Sequence, residues 1–343
     1  MSSPPKVALL GAGRMGTVHG RHAAANPRLD LVYLVEPRAE VAAAFAAELG
    51  CRTASLDAVL ADPEIAGVLV CSSTDTHLEA ALAALAAGKA VFCEKPLDLE
   101  LSRLRAHAAE LSHPAAPLYV AFNRRFDPHF QALKAKVASG AIGELETVHL
   151  ISHDPRSPPP SFIPTSGGLF RDFTIHDFDM ARWLFEEEPT EVFAWASCLV
   201  DPAIGAAGDV DTARTLLRFA SGRLCTISNT RRSAYGYDQR AECYGSRGMT
   251  MAGNPRVSTL RVWNESGAQA APMFDGFQTR YLASYRAELD HFADVLAGVA
   301  SPLTGYEASV QALVLAEAAM RSVKTGAPVK VGAPHPESGL RQG

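Results

Sequence analysis

The stretch LLGAGRMG, residues 9–16, decides how the chain begins to fold. It follows the apolar run KVALL and precedes MGTVHGRHAAA, which reads as a helix, so Gly11, Gly13 and Gly16 fall in a strand–turn–helix setting. In that setting the first glycine makes the tight turn, the second admits a pyrophosphate, and the third lets helix and strand pack closely. The helix N-terminus then presents N–H groups and a positive dipole end to the phosphates. Glu36 ends the next strand, LDLVYLVEP, twenty residues after Gly16, where a ribose-binding acid belongs.

Working outward, strand and helix continue to alternate. RAEVAAAFAAELG and THLEAALAALAAG are helices that stop at a glycine, and IAGVLVCSS, KAVFCEKP and PLYVAFN are strands, with LELSRLRAHAAELS a helix between the last two. This alternation predicts βαβ units and a doubly wound parallel sheet of Rossmann type over residues 1–122. From 123 to 343 the texture changes. FDPHFQALKAKVASGAIG reads as a helix, and LETVHLISH, PTEVFAWASCLV, DTARTLLRFASGRLCTISNTRRS (a hairpin turning at Ser221–Gly222) and QRAECYGSRGMTMAG read as strands. The expected second domain is α+β, with a large, mostly antiparallel open sheet. Helices in TIHDFDMARWLF, YRAELDHFADVLAG and YEASVQALVLAEAAMRSVKTG frame it, and the Pro-rich loop DPRSPPPSFIPTSGG precedes the first of them.

Composition narrows the class of function. The 343 residues carry 32 basic and 37 acidic side chains, a net charge of −5, with 48% hydrophobic and 20% charged residues. That is an ordinary globular balance without a nucleic-acid footprint. No apolar run approaches the length of a membrane span, and the start carries no signal-type core. Six scattered cysteines without a CxxC pair read as buried free thiols in a reducing compartment, which predicts the cytoplasm.

Glu36 in contact with both ribose hydroxyls repels a 2′-phosphate and favours NAD. Arg38, just after it, keeps NADP in view, and FAD is the runner-up cofactor. Arg14, Met15, Ser72, Thr74, His77, Glu94 and Lys95 are assigned to the same cofactor site. In CEKPL, Lys95 follows a strand at the carboxyl edge and is followed by Pro96, which stiffens the loop. A lysine there can hold a reacting oxygen and stabilise its developing charge.

In SGGLFRDFTIHDFDMARWL, residues 166–184, Asp172 and His176 stand one helical turn apart, with Asp177 and Asp179 behind. Three readings are open. A metal site would need a third ligand, and neither HExxH nor a nearby cysteine supplies one, so no metal is predicted. A capping carboxylate beside a satisfied histidine is a structural alternative. In the third, His176 takes a hydroxyl proton and Asp172 orients the ring. Asp177 and Asp179 read as early-helix acids favoured by the dipole.

GAGRMG, CEKP and GG-x-x-x-D-x-x-x-H together resemble the Gfo/Idh/MocA oxidoreductase family over nearly the whole chain. AFNRRFDPHF, residues 151–184, RRSAYGYDQRAECYGSRGM and DGFQTRYLASYRAELDHFADVL are similar to its inositol 2-dehydrogenases. The resemblance implies NAD-dependent oxidation of the axial hydroxyl of myo-inositol to scyllo-inosose, a Rossmann domain followed by an α/β domain, and a homotetramer built on the outer sheet face, with a dimer as the alternative. It implies Lys95, Asp172 and His176 as the catalytic trio, with Lys95 on the reacting oxygen and His176 as base, roles that can be exchanged. It also implies Arg124, His153, Asp154, Thr174 and Tyr237 around the polyol. The subgroup often has Gly in place of Ala121 and Arg in place of His153, and the second departure leaves another cyclic polyol or sugar, such as scyllo-inositol or an aldose, as the alternative substrate. A non-catalytic NAD-binding regulator would be expected to lack Lys95 or His176.

Overall fold

The computed structural model describes residues 3–113 and 117–331. By contact density the chain forms two compact units, Met1–Gln131 with Tyr281–Gln311, and Ala132–Arg280 with Ala312–Gly343.

The first unit is built on six strands: β1 (Lys6–Leu10), β2 (Asp30–Val35), β3 (Arg52–Thr53), β4 (Ile65–Val70), β5 (Ala90–Glu94) and β6 (Leu118–Ala121). All pair in parallel, in the order β3-β2-β1-β4-β5-β6. This is the dinucleotide-binding order, in which the connections reverse direction between β1 and β4 and open a crevice at their carboxyl ends. β4 to β6 are nearly continuous apolar runs because both faces of the sheet are covered. α1 (Arg14–Ala24) and α2 (Ala39–Leu49) follow β1 and β2, and α2 ends at Gly50 in the left-handed conformation. LELSRLRAHAAELS is not one helix: it breaks at His107 into Leu101–Ala106 and Ala108–Leu111.

A sequence division at 122/123 leaves the helix Leu282–Leu296 with the second part, whereas it packs in the first unit. Leu289, Phe292 and Ala293 join Leu9, Leu69, Phe92 and Tyr119 in one core. Burying residues such as Phe292 and Leu289 contributes about 1.5–3 kcal/mol each. Gly67 makes room for this helix, since a Cβ there would lie 3.0 Å from both Phe292 and Leu296.

The second unit carries β7 (Leu145–His153), β8 (Pro189–Ser197), β9 (Thr212–Phe219), β10 (Leu224–Thr230), β11 (Asp238–Gly245), β12 (Gly248–Ala252), the separate hairpin β13 (Arg261–Asn264) and β14 (Gly267–Ala270), and β15 (Val329–Lys330). The seven-stranded sheet runs β12-β11-β7-β10-β9-β8-β15 and is antiparallel except between β7 and β10. β9 and β10 are the expected hairpin, with Gly222 at positive φ in its turn. Alternation along these strands gives two unlike faces. Val192, Ala194, Leu217, Ile227 and Ala241 are buried on one, and Trp195, Leu216, Tyr244 and Met249 are exposed on the other. The helix Ile175–Phe185 is preceded directly by a π-helical turn, Leu169–Thr174.

Candidate active site

The glycine turn behaves as its spacing predicts. Gly11 has φ +94°, and its N–H donates to the Val35 carbonyl at 2.8 Å. A Cβ on Gly16 would lie 2.1 Å from the Gly11 carbonyl oxygen, so only glycine fits this closure of helix on strand. A Cβ on Gly13 would meet nothing within 4 Å, which leaves backbone open on the side where a phosphate approaches. The first turn of α1 has neither an acidic residue nor a side-chain cap, so its N–H groups and dipole suit an anion. These features fit a dinucleotide pyrophosphate.

Glu36 ties the glycine turn to the segment after β2. Its Oε2 accepts the Ala12 N–H at 2.9 Å, fixing the glycine turn from below. Its Oε1 accepts the Arg38 N–H at 3.1 Å and Nε–H at 2.7 Å, and Arg38 Nη2 donates to Oε2 at 3.2 Å. The Arg38 hydrogen bond, aided by Ala12 and opposed by burial, pushes the carboxyl down to about 2. Those four contacts use the lone-pair positions of a carboxylate. Any further donor therefore reaches Glu36 only when the exposed Arg38 side chain swings away.

Ser72, Thr74 and His77 cluster after β4. Ser72 Oγ lies 2.6 Å from Thr76 Oγ1, and the buried His77 ring spans the Pro96 carbonyl at 2.9 Å and the Ser72 carbonyl at 3.2 Å. His77 thereby joins the end of β4 to the segment after β5. There the Lys95–Pro96 peptide is cis, and Lys95 is half-buried. The Lys95 N–H donates to Glu94 Oε2 at 3.2 Å, and the other oxygen of Glu94 lies 2.6 Å from Nε2 of His19. Burial pushes the Glu94 carboxyl up, but the His19 hydrogen bond and the charges of His19, Lys95 and His77 outweigh it, so its pKa sits below the ordinary value. In the sequence His19 shows only as a histidine in the helix after the glycine turn; its place on the buried face of α1 is what brings it to Glu94. Arg124 is buried in a short turn, Asn123–Phe126.

In the second unit, Asp172 lies within the π-helical turn and His176 in the first turn of the following helix. A π turn is wider than an α turn, so residues four apart stay on one side of it. Neither Gly168 nor Thr174 makes a side-chain cap, and Asp172 lies inside the π turn. Asp172 Oδ2 is 3.6 Å from Nη1 of Arg231. Thr174 Oγ1 donates to Asn229 Oδ1 at 2.9 Å, Asn229 Nδ2 donates to Asp177 Oδ2 at 2.8 Å, and Ser152 Oγ donates to Asp177 Oδ1 at 2.6 Å. Asp177 is thus no solvated early-helix acid: it is wholly buried and fastens the helix to β7 and β10. Asp179 is also buried, 4.0 Å from Arg182.

His153 projects from β7 to the face opposite Ser152. Its Nε2 lies 2.8 Å from Ser228 Oγ and its Nδ1 3.1 Å from the hydroxyl of Tyr235. Tyr235 donates its one proton to Asp238, at 2.9 Å, so Nδ1 is the donor to Tyr235 and Nε2 accepts from Ser228. Burial, opposed by Asp238, holds the His153 ring below the ordinary histidine value. The tyrosine at His153 is therefore Tyr235; Tyr237 is buried, its N–H bonded to the Phe274 carbonyl. The Asp154 N–H donates to the Thr230 carbonyl at 2.9 Å. Among the described residues no group of three or more His, Cys, Asp or Glu side chains is set to hold a metal ion.

A parallel sheet in the dinucleotide-binding order, with the Gly11–Gly16 turn at its first crossover, defines an NAD-binding Rossmann unit. Residues 5–122 match the oxidoreductase family's NAD-binding Rossmann fold, and residues 130–251 match the GFO/IDH/MocA C-terminal domain. The chain belongs to the GFO/IDH/MocA family. It is 44% identical to inositol 2-dehydrogenase of Rhizobium meliloti, across 92% of this chain and 96% of that one. Its fold is similar to that of a myo-inositol dehydrogenase from Corynebacterium glutamicum, at 39% identity and a TM-score of 0.91, covering 96% of this chain and all of that one. It is similar too to scyllo-inositol dehydrogenase from Lactobacillus casei, solved with NAD(H) and scyllo-inositol, at 26% identity and a TM-score of 0.90, covering 96% and 100% of the two chains.

Proposed function

We propose that this protein oxidises the axial hydroxyl of myo-inositol to the 2-ketone, scyllo-inosose. NAD⁺, bound on the Rossmann unit, supplies the hydride-accepting ring. The observation that carries the substrate class is the inositol 2-dehydrogenase activity named for a relative 44% identical over nine-tenths of the chain.

Gly11, Gly13 and Gly16 hold the pyrophosphate on the first turn of α1, and Glu36 binds the ribose. Arg14, Met15, Ser72, Thr74, His77 and Glu94 line the same cofactor site. Lys95 hydrogen-bonds the reacting oxygen and stabilises negative charge as it develops. His176 takes the hydroxyl proton, and Asp172 orients its ring and stabilises the imidazolium. Arg124, Asp154, Thr174 and Tyr237 meet the other hydroxyls, each of which needs a polar partner once desolvated. His153, committed to Ser228 and Tyr235 on the sheet face opposite the one that carries the Asp177 helix, is not assigned to a hydroxyl of the polyol.

A second reading, scyllo-inositol as substrate, is favoured by the likeness to the scyllo-inositol enzyme. Initial rates across myo-inositol, scyllo-inositol and aldoses, with NAD⁺ and NADP⁺ side by side, separate the two. Myo-inositol with NAD⁺ is expected to lead, and a lead by any other substrate overturns the assignment. The exposed row of Trp195, Leu216, Tyr244 and Met249 supports assembly through the outer face of the sheet, as a homotetramer. The free cysteines, four of them buried, support a reducing, cytoplasmic setting.

A further inference from the structure

The π turn Leu169–Thr174 is held from two sides by charged groups outside it. At its start, the Leu169 N–H donates to both oxygens of Asp209, at 3.2 and 3.0 Å. Gly168 has φ +80°, and a Cβ there would stand 2.6 Å from Asp209 Oδ1, so the carboxylate is seated directly against the backbone. Within the turn, Asp172 Oδ2 faces Arg231 Nη1 at 3.6 Å, and Arg231 Nη2 lies 4.0 Å from Asp209 Oδ2. These contacts close a ring: Arg231 to Asp172, along the turn to Leu169, to Asp209 and back to Arg231.

Arg231 is among the largest fully buried side chains of the protein. Its Nε and Nη2 reach no hydrogen-bond acceptor among the described residues, so its charge is balanced by the two carboxylates together and not by a bidentate bond to either. Its backbone is tied down as well, with its N–H donating to the Asp211 carbonyl at 2.9 Å. A buried cation between two carboxylates is costly unless both stay in place. The guanidinium therefore couples the start of the turn to its middle, where Asp172 sits.

We propose that Arg231 and Asp209 are positioning residues: they clamp the π turn and thereby set where Asp172 and His176 stand. The inference rests on the function proposed above for that pair. An α-helical turn with the same residues would advance Asp172 around the axis relative to His176. Neither Arg231 nor Asp209 needs to touch substrate for this.

The test uses full-length Asp209→Asn, which keeps the shape and removes the charge, and Arg231→Lys, which keeps the charge and removes the planar fork. Both are expected to lower kcat at least tenfold while KM for NAD⁺ and NADH binding followed by fluorescence stay within twofold. Amide hydrogen exchange over residues 169–176 is expected to quicken at least tenfold. A lowered Tm with kcat and exchange both within twofold of wild type overturns the proposal. If Arg231→Lys fails to fold, Asp209→Asn decides alone. If the wild-type protein oxidises no inositol, the functional reading fails separately, and the exchange measurement still decides the clamp.

Discussion

Nε2 of His19 lies 2.6 Å from Oε1 of Glu94, both side chains buried, and the other Glu94 oxygen receives the Lys95 N–H. One carboxylate thus ties the helix of the glycine turn to the residue proposed to hold the reacting oxygen. His19→Ala leaves that carboxylate without its partner in the interior and is expected to cost about 3–5 kcal/mol in denaturant unfolding at neutral pH. Because the Glu94 pKa is lower in the folded state, its contribution is present above the unfolded value and is lost as pH falls through the folded one. The gap between wild type and variant should therefore narrow in acid, and a gap independent of pH would count against the pairing.

The Glu36–Arg38 pair makes a prediction about cofactor choice. Glu36→Ser removes the acid and frees the Arg38 guanidinium for a 2′-phosphate, so the ratio of kcat/KM for NADP⁺ over NAD⁺ should rise about tenfold or more, the worth of roughly one charge-assisted hydrogen bond. No rise in steady-state assays would mean that Arg38 does not reach the phosphate.

The same pair sets an acid limb of stability. The Glu36 carboxyl falls from an ordinary 4.5 to about 2. Its contribution is complete above pH 4.5 and disappears between there and pH 2. Thermal melts of wild type and Glu36→Gln should differ at pH 7 and converge toward pH 2.

His176→Ala should reduce kcat by about 10²–10⁴, the usual range for a lost general base, while NADH titration by fluorescence stays unchanged. Turnover near the wild-type rate in that variant would remove His176 from the proton transfer.

Asp177→Ala strips the acceptor from Ser152 and Asn229 inside the second unit and should destabilise it by about 3 kcal/mol. Asn229 also holds Thr174, so kcat should fall in the fraction that remains folded. Calorimetry and single-turnover rates on the same preparation check both statements.

Much of the first unit is legible in the sequence because its signals are local. The strand, the three glycines and Glu36 lie within thirty residues of one another, and each spacing reports a backbone requirement that the fold then meets. Other features depend on partners far along the chain. Asp177 looks like an ordinary acid at a helix start until Ser152 and Asn229, 25 and 52 residues away, are brought to it. The π turn has an unremarkable helical sequence, and the residues seated against it, Asp209 and Arg231, belong to later segments. Tyr235 and Tyr237 have similar local surroundings, and only the register of β11 against β7, with Asp238 opposite His153, shows which one reaches the histidine.

The helix Leu282–Leu296 has a consequence for how the protein is made. The first unit draws its core partly from Tyr281–Gln311, so its sheet emerges from the ribosome long before the residues that cover it. At about 5–20 residues per second, the wait from residue 131 to residue 311 is roughly 10–35 s. During that interval the face of β4 that will receive Phe292 and Leu296 is open to water and to other chains, so the nucleotide-binding unit closes only after residues 132–280 have been synthesised.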